Sequence, residues 1–161
     1  MARYLIALGS NRRHRRFGAP EQVLKAALHE LNRKPFQLLA ESPVVQSVPL
    51  GPSRRRYANS AALVKSRLAP DEVLAALKAI EGEFGRRRCG QRWSARVLDL
   101  DLVLWSGGTW SSPGLTVPHI AFRDRGFVLG PAVTIAPDWR DPLTGLTLRH
   151  LKGRLARPVR S

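Results

Sequence analysis

Apolar positions along this chain follow two rhythms. Short apolar runs bounded by polar or turn residues predict strands, and apolar residues recurring every three or four positions predict helices. Residues 3–8 (RYLIAL) read as a first strand, stopped by Gly9, Ser10 and Asn11. Residues 20–34 read as a helix, with Pro20 suited to a first helical position and Val23, Leu24, Ala27, Leu28 and Leu31 forming its apolar stripe. An extended segment over 36–48 ends at Pro49-Leu50-Gly51-Pro52, a turn and loop signal. Tyr57 to Val64 read as a third strand. Pro70 and Asp71 open a second helix, with Val73, Leu74, Leu77, Ile80 and Phe84 at core spacing and Gly85 as its stop. The run VLDLDLVLW (97–105) predicts the next strand. Beyond it, Gly107-Gly108 reads as a hairpin turn between Leu104 and Trp110. LTVPH (115–119) leads into a segment expected to turn helical at its end, and a last helix is expected near 146–155.

The order strand, helix, two strands, helix, strand predicts an α+β sandwich of ferredoxin-like type, with a mostly antiparallel sheet. At 161 residues, 43% of them hydrophobic, the chain is expected to form a single domain over 1–161. The one cysteine, Cys89, excludes an internal disulfide and a Cys-based zinc cluster and suits a reducing cytoplasm, where the protein is expected. The first apolar run, Tyr4 to Leu8, is too short for a signal-peptide core, and no run approaches a membrane span.

Charge adds less than its size suggests. The net charge is +15, carried by 22 Arg and 5 Lys. Clusters lie at Arg12–Arg16, Arg54–Arg56 and Arg86–Arg88, and a basic tail runs from Arg149 to Arg160. Arginine suits bidentate phosphate binding, but biased codon use would load a solvated surface with the same residue. The charge therefore indicates affinity for anions and nothing finer.

The chemistry concentrates in RWSARVLDLDLVLW (92–105). In a strand, Asp99 and Asp101 project from one face, roughly 6.5–7 Å apart, while Leu98, Leu100 and Leu102 point the other way. Two like charges side by side call for a cation, and Mg²⁺ shared with phosphate oxygens supplies one. The nearby Arg86, Arg88, Arg92 and Arg96 suit the remaining phosphate charge. No P-loop, dinucleotide-binding glycine fingerprint, G-x-S-x-G elbow or H-E-x-x-H motif occurs. A triphosphate would then be held by the aspartate pair, loop arginines and metal, which suits a transfer governed by positioning and charge neutralisation. Gly82, Gly85 and Gly90 would let the stretch 82–92 move as a lid.

These residues fall into a familiar set: GSN (9–11), PLGP (49–52), Tyr57-x-Asn59, GRRR (85–88), RW-x-x-R (92–96), LDLD (98–101), LTVPH (115–119) and RGF (125–127). Their order and spacing, over nearly the whole chain, resemble the 6-hydroxymethyl-7,8-dihydropterin pyrophosphokinases of folate biosynthesis. The resemblance implies transfer of the β,γ-diphosphate of ATP to the hydroxymethyl oxygen of the pterin, leaving AMP. It also implies that Asp99 and Asp101 hold two Mg²⁺ ions, and that Tyr57 and Phe127 sandwich the pterin. Asn59 would read the pterin edge, helped by backbone around Val48 and Leu50. Arg86 and Arg96 match arginines at the transferring phosphates and Arg88 and Arg92 those of the mobile loop, with Trp93 also on the nucleotide. Glu81, Thr116, His119 and Arg125 match nucleotide-side positions. The chain departs from the family pattern at Ser94-Ala95, often Gly-Pro, at Lys78, often Gln, and in a short basic loop, Ser53–Arg56.

A ferredoxin-like sheet with basic loops also suits an RNA-binding domain. That reading requires an RNP-type aromatic motif, which is absent, and leaves the aspartate pair unexplained; a scaffold role fails on the same pair. No nucleic-acid partner and no membrane are therefore expected. The chemistry needs only one chain, and a monomer is expected.

Overall fold

The computed structural model describes residues 1–11, 14, 16–47, 57–85 and 97–156. Its centre is β1 (Ala2–Ser10), whose alternate side chains enter two separate apolar layers. Tyr4, Ile6 and Leu8 face one layer and Leu5 and Ala7 the other, the period of two expected of a strand buried on both faces. β4 (Tyr57–Ser66) and β5 (Asp99–Trp105) flank it, both antiparallel. β2 (Phe36–Glu41) and β3 (Val45–Ser47) both pair antiparallel with β4, so the sheet reads β2-β4-β1-β5 with β3 continuing the β2 edge.

Helices α1 (Pro20–Glu30) and α2 (Pro70–Gly85) cover one face through Val23, Leu24, Ala27 and Leu28, and through Val73, Leu77 and Phe84. α2 starts with half a capping box, the Glu72 carboxylate accepting the Ala69 N–H at 2.9 Å. A 3-10 turn (Phe122–Asp124), α3 (Gly126–Ile135) and α4 (Leu148–Ala156) cover the other face, with Phe122, Leu129 and Leu148 at the centre of the second layer. The molecule is thus a mixed helix and antiparallel-sheet fold in three layers. No helix among the described residues is long and apolar enough to cross a membrane.

Three boundaries differ from the sequence pattern. The helix expected over 20–34 ends at Glu30. Pro35 bars Lys34 from helical geometry, and the Asn32 side chain turns to accept the Leu38 N–H at 3.1 Å. The extended segment expected over 36–48 divides at Ser42–Val44, where Pro43 has no N–H to give the ladder. There the Ser42 hydroxyl accepts the Ala61 N–H at 2.8 Å and lies 3.2 Å from the Ser60 hydroxyl. The chain does turn at Gly107-Gly108, with the Gly108 N–H on the Trp105 carbonyl at 3.0 Å. A Cβ on Gly107 would lie 2.2 Å from the Trp105 ring, so any other residue there would displace that ring. Yet β6 (Trp110–Ser112) does not fold back on β5; it pairs with β7 (Leu115–Val117) across a tighter turn at Gly114, φ +78°.

Burial acts on the titration of Asp141 and Tyr4 in this frame. Asp141, fully buried, receives Arg123 through Nε at 2.5 Å and a terminal nitrogen at 2.8 Å, together with the Leu143 N–H and the Thr144 hydroxyl. Burial alone would push the Asp141 pKa up, but these hydrogen bonds and the guanidinium charge outweigh it and hold the carboxyl below its ordinary value. The Tyr4 hydroxyl donates to the Leu68 carbonyl; burial first, then Glu72 and Asp71, push its pKa up to about 12.

Candidate active site

One end of the sheet gathers the chemistry-bearing residues. The register pairs Gly9 with Asp99 on one side and with Asn59 on the other, and Asn59 in turn with Val45. Residues directly opposite in an antiparallel ladder project from the same face. Asp99, Gly9 and Asn59 therefore form one row across β5, β1 and β4, with Asp99 and Asn59 separated by two strand spacings, about 9.6 Å. The next row holds Asp101, Ala7 and Ala61. Small residues at the centre of both rows leave room between the acidic edge and the amide.

The aspartates share a face, as their spacing predicts. Leu98, Leu100 and Leu102 are buried against α1 and α2, while Asp99 is exposed and Asp101 half-buried on the side of α3 and α4. The alternation then breaks. β5 holds one extra residue near Val103, so both Val103 and Leu104 enter the second layer. Nothing in the pattern of apolar residues marks that bulge, since VLDLDLVLW is apolar at both positions.

Asn59 is buried, and its Oδ1 lies 3.3 Å from where a Cβ on residue 9 would stand. Gly9 is thus an element of the site that spacing alone does not reveal; the signal lies in the register. Tyr57 is two residues from Asn59 on the same strand and therefore on the same face. Tyr57 is 44% exposed and Phe127, at the start of α3, 49%, whereas Tyr4, Phe36 and Phe84 in the core are at most 4% exposed. Tyr57 and Phe127 are therefore not core aromatics. The Arg125 guanidinium lies 5.6 Å from the Phe127 ring centroid, within cation–π range.

The outer edge of β5 is tied down from two directions. The Leu100 N–H donates to Glu81 Oε2 at 2.7 Å, and the Val103 carbonyl accepts the His119 N–H at 3.0 Å. His119 Nδ1 accepts the Ala121 N–H at 3.2 Å, so the neutral ring carries its proton on Nε2. Thr116 is exposed on β7. Val48, Leu50, Arg86, Arg88, Arg92, Trp93 and Arg96 lie outside the described residues.

A profile described as 7,8-dihydro-6-hydroxymethylpterin-pyrophosphokinase (HPPK) matches residues 5–137, a span that takes in the whole row, both aromatics and the aspartate strand. The chain belongs to the HPPK family.

The HPPK of Pseudomonas aeruginosa, named 2-amino-4-hydroxy-6-hydroxymethyldihydropteridine pyrophosphokinase, is 42% identical over 156 residues, 96% of this chain and 90% of its own. The enzyme of the same name from Methylorubrum extorquens is 33% identical, over 96% of this chain and 94% of its own. Among solved structures, wild-type HPPK-DHPS of Plasmodium falciparum superposes with a TM-score of 0.75 over 95% of this chain at 13% identity. This chain spans 41% of that longer protein, and the likeness shows the fold alone. The family assignment makes this chain a pyrophosphokinase of folate biosynthesis, with ATP as co-substrate.

The donor set suits a magnesium–nucleotide complex better than a protein-only metal cage. Among the described residues no three His, Cys, Asp or Glu side chains converge on one point. Asp99 and Asp101 offer hard carboxylate oxygens alone, and an ion there would complete its shell with phosphate oxygens and water, the usual habit of Mg²⁺.

Proposed function

We propose that this HPPK-family chain works through a site with two poles on one row of the sheet. Asp99 and Asp101 form the acidic pole, which would hold two Mg²⁺ ions against the phosphates of ATP. Asn59, Tyr57 and Phe127 form the other, which would hold the pterin. The observation that carries this reading is the register Asp99–Gly9–Asn59.

In the reaction the hydroxymethyl oxygen forms a bond to the β-phosphorus of ATP. The bond from that phosphorus to the oxygen bridging to the α-phosphate breaks, AMP leaves, and the hydroxyl proton is released. Tyr57 and Phe127 would clamp the ring so that the hydroxymethyl arm extends toward the aspartates. Asn59, offering one acceptor and two donors from its amide, would pair with the pterin edge and fix its orientation, aided by backbone at Val48 and Leu50. Bound Mg²⁺ would neutralise the phosphates and lower the cost of charge moving onto the leaving oxygen. Arg86 and Arg96 would bind the transferring diphosphate, with Arg88, Arg92 and Trp93 closing over the nucleotide. Thr116, His119 through Nε2–H and Arg125 would contact the nucleotide side.

The sheet order β2-β4-β1-β5, with helices α1 and α2 crossing one face, supports the ferredoxin-like assignment for residues 2–105. A cytoplasmic monomer that binds neither nucleic acid nor membrane fits a reaction complete within one chain. Incubation with ATP and 6-hydroxymethyl-7,8-dihydropterin should give AMP and the pterin diphosphate, and only with Mg²⁺ present. Absence of turnover alongside salt-sensitive RNA binding would favour an RNA-binding domain instead.

A further inference from the structure

The strand that carries both aspartates is an edge strand, and one of its outward-facing amides is held by a carboxylate from another layer. Along a strand, successive N–H groups point to opposite sides. The Leu100 N–H points away from β1 to Glu81 Oε2, at 2.7 Å, so the amides of Asp99 and Asp101 on either side of it point toward β1. The backbone between the two aspartates is thereby fixed from both edges. Glu81 itself sits on a rigid support. It lies in the last part of α2, between Leu77 and Phe84, both buried, and Phe84 stacks on Phe17 with ring centroids 4.9 Å apart.

We propose that Glu81 is a positioning residue for the metal-binding strand: by accepting the Leu100 N–H it sets the separation and aim of the Asp99 and Asp101 carboxylates. This rests on the metal role proposed above for the two aspartates, and it differs from the nucleotide-contact role that the family resemblance implies for Glu81. A hydrogen bond to a charged acceptor is stronger than a neutral one, and partners that orient metal ligands govern metal affinity by roughly 10- to 100-fold.

Two substitutions separate the roles. Glu81→Gln keeps an oxygen acceptor of the same length and loses the charge; Glu81→Met keeps the length and loses the acceptor. Three readouts apply to each: Mn²⁺ affinity in the presence of α,β-methylene-ATP, exchange protection of the Leu100 amide, and AMP formation. A positioning role predicts that Glu81→Met weakens Mn²⁺ binding roughly tenfold and deprotects Leu100. It predicts that Glu81→Gln stays within about threefold of wild type on both counts. A direct nucleotide or metal contact by the carboxylate predicts instead that Glu81→Gln fails as badly as Glu81→Met with Leu100 still protected, and that result overturns the proposal. Wild-type Mn²⁺ affinity in a folded Glu81→Met protein overturns it too. Should Glu81→Met not fold, the Glu81→Gln result still decides, because a loss of tenfold or more there is incompatible with positioning. Wild-type protein that binds Mn²⁺ but forms no AMP would contradict the proposed reaction and leave the Glu81 comparison intact.

Discussion

Asp99 and Asn59 lie on either side of Gly9 in a single row of the sheet, one on edge strand β5 and the other on β4. They are 40 residues apart in sequence and two strand spacings apart in space, on the same face. In the proposed site, the carboxylate would meet the phosphate end of the ligand through Mg²⁺, and the amide would meet a hydrogen-bonding heterocycle at the other end.

Gly9 keeps the row open, so a methyl group there should act on the pterin pole. A Cβ would lie 3.3 Å from Asn59 Oδ1, so the amide would have to shift by a few tenths of an ångström. Gly9→Ala should raise KM for the pterin about tenfold, the worth of one well-aligned hydrogen bond. The Mg²⁺ dependence and melting temperature should change little. Steady-state kinetics with each substrate varied in turn, beside a thermal melt, checks this.

The two exposed aromatics should behave opposite to the buried ones. Tyr57→Ala or Phe127→Ala should each weaken pterin binding by about 10- to 100-fold, since stacking on a heterocycle is worth about 1–3 kcal/mol. Neither should cost as much stability as Phe36→Ala, which empties a core position and should cost about 3–5 kcal/mol. Binding calorimetry and denaturant titrations on the three variants give the comparison.

Some stability should depend on acid pH through Asp141. Its folded pKa lies below the ordinary carboxylate value. The contribution is therefore complete above the unfolded value of 3.8 and is lost as pH falls below it toward the folded pKa. Asp141→Ala would strand the Arg123 guanidinium in a partly buried setting and should cost about 3–5 kcal/mol at pH 7. Its melting temperature should also fall less than that of wild type between pH 5 and about pH 3. Denaturant titrations at pH 7 and thermal melts from pH 5 to about pH 3 test the two points.

Much of the fold was legible because its cues are local. Pro20, the Val23–Leu28 stripe, and the Val73–Phe84 stripe ending at Gly85 each define a helix within a few turns. The aspartate pair was legible for the same reason: a period of two needs only neighbouring residues. What escaped depends on partners distant in sequence. The division of β2 from β3 turns on Ser42 meeting Ser60 and Ala61. The bulge near Val103 lies between residues that are apolar whichever layer they enter. Gly9 was visible as a turn residue, but its place between Asp99 and Asn59 follows from register, which no single strand encodes.

The aspartate pair carries the central claim, and rates measured on its variants test it most directly. Asp99→Ala and Asp101→Ala should each lower the rate of AMP formation by about a thousandfold or more, the scale of losing a group that stabilises transition-state charge. Both should keep the wild-type melting temperature within a few degrees, since Asp99 is exposed, Asp101 half-buried, and neither fills the core. Either folded variant turning over at close to the wild-type rate would contradict the assignment of the metal site.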